Sequence, residues 1–299
     1  MEMAYTELES CDLASMELCV DHIRHLQEIH HLFLILMFQI DQIQKNYTLK
    51  SGGQVFRGQF PADADKEEDY IAINAHIINI ASSGKTMIES MNNFANLNYL
   101  SDENKHSYLA MVSEIYDTVF SYKLLIRLRD YSQHGHLPVS SEGNTYYFDF
   151  VNILGKPHFN LNKAVKNQMA DAISTCKNLL DDTPRLSLTR TLAEYVATIL
   201  RIYQNFLMFA ECTVLETTEK VKDIVDKYPE NIIHMPTAPS GWFVYKVTDG
   251  NADIINPSDD PSKMFAQFKN VAEKFCNQYT QAWHELMKGT KIIPIADKD

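Results

Sequence analysis

Between Leu13 and Lys45 the apolar side chains return every three or four residues: Leu13, Met16, Val20, Ile23, Leu26, Ile29, Phe33, Leu36, Ile40 and Ile43. A period of 3.6 held over that span excludes a strand and predicts one long amphipathic helix. A helix of this length leaves the rest of the chain a limited task, which is to supply further helices that cover its stripe. Leu32 to Phe38 is apolar on every side, so this segment is expected to be buried centrally or at a subunit interface.

The same period recurs downstream. A second helix is predicted from about Asp65 to Asn93, with acidic residues in its first turn and an inner face of Ile73, Ile77, Ile80, Gly84, Met87 and Met91. A third is predicted from an N-cap at Ser101 to about His134, with the stripe Tyr108, Val112, Ile115, Val119, Tyr122, Ile126, Arg129 and Gln133. Helices are also expected over 160–180, from Ser187 to about Tyr228 with a bend near Cys212, and from Pro261 to Lys288 with Met264, Phe268, Val271, Phe275 and Trp283 inward. Residues 54–58 read as a short extended piece and 291–299 as a frayed tail.

Strand signals are few. Val139 to Ser141 and Thr145 to Val151 flank a Glu142-Gly143-Asn144 turn, and Trp242 to Val247 meets Ile254-Ile255 across Asp249-Gly250. These predict two short hairpins that pair with one another. The expected class is mainly α: a helical-bundle core with a small β-hairpin element in the C-terminal half. The expected division is a helical core over 1–138 and a mixed helical region over 139–299.

Ser82-Ser83-Gly84-Lys85-Thr86 imitates the end of a phosphate-binding loop, but the glycine that should stand five places before Gly84 is Asn79. The stretch also lies inside a helical pattern rather than after a strand. It is read as a helix whose small residues, Ala72, Ala75, Ala81, Ser82, Ser83 and Gly84, let another helix approach closely.

The formal charge of −12 over 299 residues provides no global field for nucleic acid, although a local cationic pocket is compatible with it. Five scattered cysteines without C-x-x-C spacing suit a reducing, cytoplasmic setting. No basic-then-apolar leader is visible, and the Leu32 to Phe38 run is far short of the roughly 20 residues a membrane helix needs. No membrane partner is expected.

Chemistry concentrates at the end of the third helix, in Arg127-Leu128-Arg129-Asp130-Tyr131-Ser132-Gln133-His134-Gly135-His136-Leu137-Pro138. Gly135 suits the position after a helix end, and Pro138 forbids resumption. Arg129 ends a stripe that is otherwise apolar, so its guanidinium, which cannot deprotonate, needs acceptors. Asp130 and His134 are spaced i, i+4 and can meet on one face, where the carboxylate would orient the imidazole for proton transfer near neutral pH. Arg129 and His134 lie about 140° apart around an ideal helix. They share one ligand only if the helix unwinds near Gln133-His134 or a second copy completes the site. Arginines to hold a phosphate and a histidine to move a proton are what RNA phosphodiester cleavage requires, without a metal or cofactor.

Arg129-Asp130-Tyr131-Ser132-Gln133-His134, closing a long helix within a helical core, resembles the R-x4-6-H motif of the HEPN domain superfamily. The resemblance implies a metal-independent endoribonuclease with its active site between two HEPN units, of the kind found among toxins and in stress or anti-phage defence. It implies Arg129 and His134 as catalytic residues, Asp130 as their polar support, and Gln133 and His136 in the same cleft. RNA as substrate, a homodimer, and an antitoxin or regulatory partner follow as expectations. Two other readings stand beside it. One is a non-catalytic helical module that binds nucleotides or partners, with Arg129 paired structurally to a carboxylate. The other is a metal enzyme using His22, His25, His30 and His31, for which the ligand spacing is poor.

Overall fold

The long apolar stripes form helices, most of them with ends a few residues from those expected. In the computed structural model, which describes residues 5–51, 67–142, 145–155, 185–235, 238–257 and 260–288, α1 spans Ser10–Ser51 and α2 Glu67–Asn96. Helices α3 (Asp102–Thr118) and α4 (Phe120–Gln133) follow, then strands β1 (Val139–Glu142) and β2 (Thr145–Asp149) and the short α5 (Phe150–Gly155). Strand β3 (Arg185–Ser187) leads into α6 (Leu188–Lys227), which is continuous through Cys212. After a single 3-10 turn come β4 (Ile232–Met235), β5 (Ala238–Thr248), β6 (Asn251–Ile255) and α7 (Pro261–Lys288). The structure is mainly helical with small β elements, as expected, and the strands form two antiparallel sheets. The helix expected over 160–180, the extended piece over 54–58 and the tail over 291–299 lie outside the described residues.

Three differences have physical causes. The third helix is two helices: Val119, β-branched and with φ −101° and ψ 106°, is extended between α3 and α4. Ser101 does cap α3, its hydroxyl accepting the Asn104 N–H at 3.3 Å. The hairpins do not pair with each other. β2 already has β1 and β3 on its two edges, and β5 has β4 and β6, so neither central strand has an edge to offer. Finally, of the two places expected for Leu32 to Phe38, central burial within one copy is not what is found: Phe33, Leu36 and Met37 are buried, while Leu34, Ile35 and Phe38 face out.

The chain forms two compact units, each drawn from three separated stretches. The first contains residues 1–31, 90–109 and 204–273. Its core joins Met16, Cys19 and Val20 of α1 to Val221 and Ile224 of α6 and to Phe243 and Tyr245 of β5. Asn231, fully buried, ties the chain start to the sheet. Its amide donates to the carbonyls of Thr6 (2.8 Å) and Val244 (2.9 Å), and its own oxygen accepts the Thr6 N–H (2.7 Å). Such a group is costly to bury unless it is fully bonded, and this one is.

The second unit contains residues 32–89, 110–203 and 274–299. Here α1, α2, α4 and α6 supply Phe33, Ile77, Leu125, Leu128, Val196, Ile199 and Tyr203 to the interior. Phe33 stacks on Tyr203 with ring centroids 4.1 Å apart. The small-residue groove of α2 is used as expected: Gly84 receives the side chain of Tyr195, and a Cβ at Gly84 would overlap the Tyr195 hydroxyl. Tyr195 also stacks on Tyr122 of α4, with centroids 6.4 Å apart. Its hydroxyl is buried with no hydrogen-bond partner among the described residues.

Gly84→Ala is therefore expected to destabilise the protein by about 1–3 kcal/mol despite the better helix propensity of alanine. In a Tyr195→Phe background the hydroxyl is gone and the nearest ring atom, Cζ, stands 3.0 Å from the new methyl. The same substitution should then cost less. Urea unfolding of the four proteins measures this, and an equal cost in both backgrounds would refute the overlap.

Candidate functional site

The end of α4 is built by the signals that marked it. The last helical residue is Gln133, and His134 leaves helical geometry at φ −90° and ψ 16°. The His134 N–H bonds back to the Tyr131 carbonyl at 3.3 Å, and the Gly135 N–H to that of Ser132 at 3.0 Å. Gly135 takes φ 81°, the left-handed conformation that favours glycine after a helix. Beyond Pro138 the chain is fixed by Asn74 of α2, a buried amide. Its oxygen accepts the Val139 N–H at 2.9 Å, and its nitrogen donates to the carbonyls of Val139 (3.4 Å) and Tyr70 (3.0 Å). The segment carrying the candidate residues is thus held at both ends.

Arg129 does not end the buried stripe. The break at Val119 shifts the phase, and the inward face of α4 is Tyr122, Leu124, Leu125, Leu128 and Tyr131. Arg129 and Asp130 stand at its margin, half-buried, and Gln133 and His134 are exposed. His136 is half-buried beside Tyr131, with ring centroids 4.8 Å apart. Arg127, the other arginine of the stretch, donates from Nε to the Tyr116 hydroxyl at 2.8 Å.

The carboxylate of Asp130 is bonded to cations. Its Oδ1 accepts from Arg129 Nη1 at 3.2 Å and from Lys85 Nζ, on α2, at 2.8 Å. Burial alone would raise the Asp130 pKa; the hydrogen bonds from Lys85 and then Arg129 outweigh it and hold the carboxyl below its ordinary value. Two cations share one oxygen, so the trio carries one net positive charge at the foot of α4. Lys85 is the residue that sequence reasoning passed over, because it enters only as part of an imitation phosphate-binding loop and is set aside with that loop. No local signal marked the contact, since the partner, Asp130, lies 45 positions away.

Of the four histidines of α1, His22, His25 and His30 are taken up in local contacts, and His31 is exposed. His22 lies edge-on to Tyr99 with centroids 4.3 Å apart, and its Nδ1 is 3.1 Å from the Thr217 hydroxyl. His25 Nδ1 meets the Asp21 carbonyl at 2.9 Å. His30 stacks on Phe268 at 3.9 Å and is 7% exposed. Among the described residues, the trio close enough to share a metal is Glu9, Cys11 and Asp12, with no histidine in it. Asp12 there already accepts from Lys227 (2.6 Å) and Tyr228 (2.7 Å).

No protein-family model matches the chain, no curated protein matches it, and no solved structure matches its fold. No helix among the described residues is long and apolar enough to cross a membrane.

Burial, helped by the neighbouring His31, pushes the His30 pKa down to about 4. The unfolded chain takes up a proton near its ordinary value of about 6.5. The folded state should therefore lose stability as the pH falls from about 6.5 to about 4 and lose no more from this group below that. The loss is on the order of 3 kcal/mol. His30→Phe keeps a ring against Phe268 and removes the titration. Chemical denaturation of both proteins at pH 7 and pH 4 gives the difference, and a wild-type-to-variant gap that does not change with pH would exclude His30 as its source.

Proposed function

We propose that this protein is a metal-independent endoribonuclease of the HEPN type, acting through Arg129 and His134 at the foot of α4. The observation that carries the reading is the cationic trio of Lys85, Asp130 and Arg129 beside a histidine that stands exposed where the helix ends. Because α4 stays helical through Gln133, the proposal takes the second of the two ways to join Arg129 and His134 on one phosphate, in which a second copy completes the site. In this reaction the 2′-oxygen attacks phosphorus and the bond to the 5′-oxygen breaks, leaving a 2′,3′-cyclic phosphate and a 5′-hydroxyl. Arg129 holds the phosphate oxygens, and His134 carries the proton to or from the 2′-hydroxyl or the leaving oxygen. Asp130 holds the arginine in place, and Gln133 and His136 flank the cleft.

A homodimer belongs to this proposal, since paired helices would bring two such clusters together. Leu34, Ile35 and Phe38 leave apolar surface on α1 that a second copy would cover. RNA is the substrate proposed, with an antitoxin or other regulatory partner restraining the activity. A role in stress or anti-phage defence, inside the cytoplasm, goes with that assignment. One observation favours the second reading, a non-catalytic module: Arg129 already has a carboxylate partner in Asp130.

Wild-type protein incubated with total RNA and a chelator should cut it to fragments with cyclic phosphate ends. Arg129→Ala and His134→Ala should each slow cleavage by about a hundredfold or more. If all three proteins leave the RNA equally intact, or cut it equally, the nuclease assignment fails; binding without cleavage would favour the second reading.

A further inference from the structure

We infer that Lys85 is a second phosphate-binding group of this site, held ready by Asp130 and released to an incoming phosphodiester. The inference rests on the reading of the α4 foot as an RNA site and extends it to α2. Lys85 Nζ and Arg129 Nη1 meet on the same oxygen, Asp130 Oδ1, at 2.8 and 3.2 Å. The two cations are therefore converged on one point by two different helices. A carboxylate oxygen and a phosphate oxygen are both anionic acceptors, and a site that gathers two cations around the first is arranged to gather them around the second. Lysine suits the role as a compact charge with three donors, able to keep one bond to Asp130 while turning another to phosphate.

The side chains on the page make this more than an incidental ion pair. Lys85 is mostly covered, with 19% of its side chain exposed, and Asp130 keeps 42%. An isolated surface pair contributes little and would not need to be this enclosed. Gly84, the adjoining residue, brings α2 close to Tyr195, and Tyr195 stacks on Tyr122 of α4. Packing thus brings the α2 backbone near α4, and the Lys85 side chain completes the reach to Asp130. The trio's single excess positive charge gives a phosphodiester a net attraction, and the carboxylate opposes it. Asp130 is accordingly a positioning residue that also weakens ligand binding.

The test uses the full-length protein and a short single-stranded oligoribonucleotide with every 2′-hydroxyl methylated, which cannot be cleaved by 2′-oxygen attack. Binding is measured across a salt series for wild type, Arg129→Ala, Lys85→Gln, Lys85→Arg, Asp130→Asn and the Lys85→Gln/Asp130→Asn pair. Lys85→Gln should weaken binding about three- to tenfold. It should also lower the slope of log affinity against log salt by about 0.7, the loss of one phosphate contact to a single strand. Lys85→Arg should keep the slope. Asp130→Asn retains an acceptor oxygen for both cations without the charge and should bind more tightly than wild type.

The paired variant, compared with Asp130→Asn alone, reports on Lys85 with no orphaned carboxylate left behind, and it should show the same loss of slope. If Lys85→Gln and the paired variant bind like their parents while Arg129→Ala is weakened, the assignment of Lys85 is overturned and the RNA site stands. If Asp130→Asn binds no more tightly than wild type, the release of the cations is overturned. If the wild type does not bind, or Arg129→Ala binds equally well, the RNA reading itself fails.

Discussion

The absence of a side chain at Gly84 is the constraint on which the second unit depends. It lets the hydroxyl end of Tyr195 of α6 come down onto α2, while the Tyr195 ring also lies near-parallel to Tyr122 of α4. Three helices are thereby indexed to one another through a single buried aromatic. The index is exact enough in consequence to bring a lysine one residue from the glycine against an aspartate two turns along α4 from Tyr122. Large buried rings serve well for this, because they have few torsions and cannot shift without opening a cavity.

The helices were legible because their stripes are long, and long periodic segments leave little room for another assignment. Met16, Leu26, Phe33 and Ile40 of α1, and Ile73, Ile77, Gly84 and Met91 of α2, are inside as their spacing requires. The helix stop at Gly135 and the two hairpins were legible for a different reason: glycine, proline and Asp-Gly mark backbone geometries that other residues avoid. The third strand of each sheet was not, since Arg185–Ser187 and Ile232–Met235 are too short to carry a period.

The candidate site was legible in its members and not in its phase. Arg129 ends an apolar stripe only if residues 101 to 134 form one helix. No glycine or proline announces the break at Val119; an ordinary valine in an extended conformation re-sets the register by a fraction of a turn. That small rotation brings Leu128 and Tyr131 inward and leaves Arg129 at the margin, where it meets Asp130. Lys85 was illegible in another way. Its partner lies 45 positions away, and contacts at that range follow from packing, which local patterns do not report.

The bonds of Asn231 to Thr6 connect positions 225 residues apart, and Lys227 reaches Asp12 across 215. Both units are assembled from early, middle and late stretches of the chain. Neither can close until its late stretch, 204–273 for the first unit and 274–299 for the second, has been made. Contacts this distant in sequence make for slow folding, since the entropy of closing the loop must be spent before the contacts form. A nascent chain that has emerged through α2 therefore carries its apolar stripes uncovered until those stretches follow. Proteins of this topology place their heaviest demand on the cell before they are finished, when there is surface to hide and nothing yet to hide it against.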